Sequence, residues 1–238
     1  MENSTHNIVV FKTIRASVSF VFNHPKQIGL MLLLPILATW SSFLGLLRNG
    51  EVDELTLGLL ISFIFASWLT GTSLVSLHRY VINEEKYFII GSQRHVLKAI
   101  AYIIGLTLVR NEFLPPELWP VALIIFIFSP FILHFLVQMS LGWNWQKIIS
   151  GMPPLSAKNW WKSWGLWISS SLIGLVAAIP FAGILGGIGY LLGIALPEVV
   201  GLAVVPGVIV MYFFTALSFS IAARTYRDRN ASLNDLVI

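Results

Sequence analysis

The sequence has 238 residues, 56% hydrophobic and 11% charged, with a formal net charge of +4 and a mean hydropathy of +0.80. An ordinary soluble domain carries roughly 25% charged residues, so this composition points to lipid around much of the chain. The absence of cysteine excludes disulfides, thiolate catalysis and Cys-ligated metals, and the basic residues stand at the ends of apolar runs, which directs their charge to a membrane surface and not to nucleic acid.

Residues 1–26 read as a retained cytoplasmic segment, because the basic residues Lys12, Arg15 and Lys26 are too spread out for a cleaved signal peptide. Within it, residues 8 to 24 predict an amphipathic helix lying in the membrane interface. Phe11, Ile14, Val18, Val21 and Phe22 share one face and Lys12, Arg15, Ser19 and Asn23 the other. Pro25 ends it and turns the chain into the bilayer.

A bilayer core of about 30 Å needs about 20 apolar residues of helix. Five stretches qualify, at about 27–47, 55–78, 118–142, 163–195 and 199–223. A sixth, 96–114, has only eleven residues between Lys98 and Arg110 and crosses only if both snorkel toward the headgroups. The distribution of basic residues favours that crossing. Six spans put Lys12, Arg15, Lys26, Arg79, Lys86, Arg94, Lys98, Lys147, Lys158, Lys162, Arg224, Arg227 and Arg229 on one side, leaving only Arg48 and Arg110 on the other. The expected fold is therefore an all-α polytopic transmembrane helical bundle. It has an interfacial N-terminal helix, six spans within 27–224 and a cytoplasmic tail, 225–238. Both termini are expected in the cytoplasm, and the bilayer is the first partner.

The stretch "LHRYVINEEK" (77–86) places titratable groups at the end of the second span. It lacks the pattern of an intramembrane metalloprotease, since Ile89 stands where Glu-Glu-x-x-x-Arg needs arginine. No H-E-x-x-H, G-x-S-x-G or Walker lysine is present either. It reads as a charged rim in which Glu84 or Glu85 pairs with Arg79 or Lys86. His134, with Gln138 one turn later, is the candidate intramembrane polar pair. Without an acid beside it, His134 reads as a packing histidine and not as a metal ligand.

Six of the nine tryptophans fall between 143 and 167, interleaved with Lys147, Lys158 and Lys162, as in a headgroup belt. Ser156 is placed to cap the helix that follows. In the fifth span, Gly183, Gly187, Gly189 and Gly193 form two small-x-x-x-small pairs, a candidate helix-packing face. Packing within the chain, a homodimer or another membrane-protein partner each fits them. Pro180 and Pro206 are candidate helix kinks.

Several of these features resemble a class of bacterial six-span inner-membrane proteins, similar to the membrane domain of glycerophosphodiester phosphodiesterases. They are Asn-His-Pro at 23–25, His-Arg-Tyr-Val at 78–81, Asn-Trp at 159–160, the glycine-rich fifth span and "AARTYRDR" at 222–229. The resemblance implies a bacterial inner-membrane location and architecture. It supplies no catalytic residue, because the phosphodiesterase chemistry belongs to a separate soluble domain. No catalytic, metal or cofactor site is expected. The expected function is a non-enzymatic organiser or assembly factor for membrane partners or lipids. The alternative is a small-solute or lipid permease with a path near His134, Pro180 and Pro206.

Overall fold

The computed structural model describes residues 9–48, 57–85, 100–101, 118–142, 144–154, 156–194 and 196–234. The expected third span, 96–114, and the charged connections at 49–56, 86–99 and 102–117 lie outside the described residues.

All the regular structure among the described residues is helical. The elements are α1 (Val10–Asn23), α2 (Pro25–Arg48), α3 (Leu57–Asn83), α4 (Trp119–Leu141), α5 (Trp145–Ser150), α6 (Ala157–Leu191) and α7 (Leu196–Asn234). Four stretches are long and apolar enough to cross a membrane: Pro25–Leu44, Trp119–Leu141, Ala157–Leu191 and Val199–Asp228. Their outward faces are apolar too. Leu33, Leu37, Ile124, Phe128, Leu175 and Val204 are all exposed, as expected where lipid and not water is the neighbour. The protein is membrane-embedded.

Local boundaries follow from side-chain chemistry. Pro25 opens α2 at a first-turn position where its missing N–H costs nothing. Ser156 Oγ accepts from the Asn159 backbone N–H at 3.3 Å and caps α6, as expected. Pro180 and Pro206 lie inside α6 and α7, and both helices continue through them without a break.

Helix α7 is the hub, packing against α1, α2, α3, α4 and α6. Val210, Phe213, Leu217 and Phe219 are fully buried, and Thr215, Ser218 and Ser220 are buried between them. Small side chains in this run let neighbouring backbones come close. Pairing with α6 is the most extensive contact, and glycine permits it. A Cβ on Gly174 would meet the Met211 Cα at 2.6 Å, and one on Gly189 would meet Leu202 Cδ1 at 3.0 Å.

The expected packing face is divided by this arrangement. Gly189 faces α7 together with Gly186, whereas a Cβ on Gly183, Gly187 or Gly193 would meet nothing within 4 Å among the described residues. Gly183 and Gly187 point away from the bundle, and Gly193 has a φ of 75° in the turn after α6. That left-handed conformation is one that glycine adopts freely.

Helix α1 packs through Val10, Ile14, Phe20 and Val21, with Thr13 and Ser17 buried beneath. Phe11 and Phe22 remain 81% and 78% exposed. Of the apolar face assigned from sequence, Ile14 and Val21 pack against the core, and Phe11 and Phe22 do not.

Candidate functional site

Buried polar contacts tie the helices together. Ser218 on α7 donates to Ser17 on α1 at 3.1 Å. Ser42 on α2 and Ser62 on α3 are 2.6 Å apart. His78 on α3 is completely buried, and its Nδ1 is hydrogen-bonded to Ser220 Oγ on α7. Each polar atom that leaves water needs such a partner.

His134 and Gln138 each reach a different part of the chain. His134 Nε2 lies 3.3 Å from Ser163 Oγ on α6, and its ring stands edge-on to Phe219 at 4.6 Å. Gln138 donates to the Gly151 carbonyl at 2.9 Å and holds the connection between α5 and α6. Deleting the His134 ring opens a cavity at a buried site, so His134→Ala is expected to reduce the amount of folded protein. Normal abundance with loss of a cellular phenotype would instead support a permease path at this residue.

The tryptophan cluster has two roles. Trp160 and Trp164 on α6 both donate from Nε1 to the Ile127 carbonyl of α4, at 3.2 and 3.3 Å. Pro130 has no N–H to give to the Phe126 carbonyl four residues back, and the neighbouring Ile127 carbonyl accepts both indoles. Trp145 and Trp161 are 62% and 68% exposed and are placed as a headgroup belt would be.

The described part of this stretch, 77–85, is the core of a tightly tied rim; Lys86 lies outside the described residues. Arg79 grips Glu85 with two bonds, Nε to Oε2 at 2.7 Å and Nη2 to Oε1 at 2.9 Å. Arg224 donates to the Val81 carbonyl at 3.0 Å and to Glu84 at 2.8 Å. Arg227 donates to the Ile82 carbonyl and to Asn83 Oδ1. The last turn of α3 has carbonyls without intrahelical partners and a partial negative charge, and two arginines of α7 supply both donors and positive charge.

Beside this lock lies an open cleft of about 640 Å³. It is formed by the C-terminal ends of α3 and α4, by α5 and by the last third of α7. Its polar wall contains Asn83, Gln138, Asn144, Lys147, Tyr226 and Arg227, and Ile82, Leu141, Ile148 and Ala223 give an apolar floor. Asn144 accepts from the backbone N–H groups of Gln146 and Lys147 and so fixes α5. Among the described residues no carboxylate belongs to the lining, and no cluster of His, Asp or Glu is placed to hold a metal ion. The described lining thus combines amides, hydroxyls and two cations with an apolar floor.

Sequence reasoning did not find this cleft. Its walls come from residues near 82, 138, 147 and 227, and the only signal was a concentration of Lys and Arg at one end of the spans. Comparison with protein-family models, with curated proteins and with solved structures gives no match.

Proposed function

We propose that this chain is a six-span protein of the bacterial inner membrane, with both termini in the cytoplasm, that gathers lipids or membrane partners without transforming them. The cleft at the basic rim carries the reading. Amides, hydroxyls and two cations beside an apolar floor are suited to holding an amphiphile.

The path of the chain supports six crossings. Asn83 at the end of α3 and Leu141 at the end of α4 line the same cleft, so α3 ends and α4 begins at opposite ends of the bundle, as an additional crossing between them would require. At about 1.5 Å per residue, α3 and α4 are each long enough to traverse the hydrocarbon core. Outward Phe11 and Phe22, next to exposed Lys12 and Arg15, support an interfacial position for α1. Gly183 and Gly187, open on the outer side of α6, support close approach by a membrane partner or a second copy.

The test is recovery of the tagged protein in native nanodiscs, with mass spectrometry of everything that accompanies it. An enriched lipid or a stoichiometric protein partner, chemically unchanged, is expected. A preparation holding neither, or one that converts its bound lipid to a product, would contradict the proposal.

A further inference from the structure

The ligand class is written in the walls of the cleft. We infer that it binds the phosphate group of an anionic amphiphile, with Lys147 and Arg227 as the two cations and Ile82, Leu141 and Ile148 under its apolar part. The inference rests on the reading that this rim lies at the membrane surface.

Four observations converge on it. Both cations line a cavity that holds no carboxylate among the described residues. Lys147 has no acidic partner among the described residues, while the acids described at this rim are engaged elsewhere: Glu85 by Arg79, and Glu84 and Asp228 by Arg224. Arg227 commits one N–H to the Ile82 carbonyl and one to Asn83, which orients its planar fork while leaving other donors of the guanidinium for an oxyanion. Finally, the cleft falls within the usual size range of small-ligand sites. Ile149 and Trp145, also on α5, are exposed apolar side chains.

A phosphate offers several acceptor oxygens, so one group can be shared between a lysine on α5 and an arginine on α7. Basic pockets at the cytoplasmic ends of membrane helices recognise headgroups in this way. A bilayer phospholipid and a water-soluble phosphate ester present the same oxygens, and the two sources are separable by experiment.

The full chain is placed in nanodiscs of equal phosphatidylglycerol and phosphatidylcholine, and the lipids retained on release are counted by native mass spectrometry. In parallel, glycerol 3-phosphate is titrated calorimetrically into the protein in pure phosphatidylcholine discs. Phosphatidylglycerol is expected to be enriched, and Lys147→Gln is expected to lower the enrichment about fivefold. Lys12→Gln, which removes an exposed charge on α1 outside the cleft, should lower it distinctly less. Binding of glycerol 3-phosphate that depends on Lys147, without lipid enrichment, would support the site and assign it to a soluble ester. Because Arg227 also secures α3, it is tested as Arg227→Lys, which keeps the charge, and by a thermal melt of each variant. No enrichment and no titration, or enrichment that survives Lys147→Gln, would overturn the inference. A protein partner recovered without lipid would overturn it while leaving the organiser reading intact. A bound lipid recovered as a different compound would do the opposite.

Discussion

Gly174→Ala is expected to weaken the bundle more than any other single-methyl change in α6. The added Cβ would stand 2.6 Å from the Met211 Cα and 3.2 Å from the Phe214 Cβ. A flexible side-chain tip could swing aside, but a backbone atom of α7 cannot, so the two helices have to separate. They form the most extensive pairing in the protein. Overpacking of this kind costs about 1–3 kcal/mol, and Gly174→Leu should abolish folding. Gly183→Ala and Gly187→Ala are the internal controls. Their Cβ atoms would meet nothing among the described residues, and alanine is the better helix former by about 1 kcal/mol. Thermal unfolding in detergent, followed by size-exclusion chromatography, ranks the four variants. Equal melting of Gly174→Ala and wild type would show that α6 and α7 are not in this register.

The second large effect is expected at His78. Its ring is completely buried between α3 and α7 and hydrogen-bonded to Ser220. His78→Ala removes the ring and leaves a cavity, for which about 2–5 kcal/mol is the range seen when large core side chains are cut to alanine. Lost hydrogen bonding contributes less, about 0.6 kcal/mol for an average interhelical bond in a membrane. Ser220→Ala should therefore be mild and His78→Ala severe. His78→Asn, which keeps a polar atom near the Nδ1 position, should recover part of the difference. The measurement is the yield and melting temperature of folded protein. A His78→Ala protein as stable as wild type would mean that the α3–α7 seam is packed differently.

These two positions also show what was legible in the sequence. Long apolar runs bounded by charge gave the helices, because only a helix satisfies its own backbone in lipid. Pro25 and Ser156 marked boundaries for local reasons that hold in any context. The glycine face was harder to read. The segment 183–193 offers several spacings at once, and the choice is made by Val199, Leu202 and Ala203 across the interface, which are distant in the argument from sequence. His78 looked like the edge of an apolar run. It is buried because α3 and α7 stay helical past that edge, to Asn83 and Asn234, and close over it. The same extension brings Arg224 and Arg227 against the end of α3. Trp160 and Trp164 were readable as amphipathic anchors, but their shared acceptor is a carbonyl, and carbonyls have no sequence signature.

The central claim is that the helices cross a bilayer with the basic rim, and hence the cleft, on the cytoplasmic side. The chain has no cysteine, so single cysteines report without background. Ser156 is exposed at the basic rim and Leu192 at the opposite end of α6. Ser156→Cys, Leu192→Cys and Asn111→Cys would each be treated with a membrane-impermeant maleimide on intact spheroplasts, then again after permeabilisation. Labelling of Leu192→Cys and Asn111→Cys on intact cells, with Ser156→Cys reacting only after permeabilisation, is the predicted result. Labelling of Ser156→Cys on intact cells, with Leu192→Cys protected, would place the rim and its cleft on the wrong side of the membrane and contradict the account.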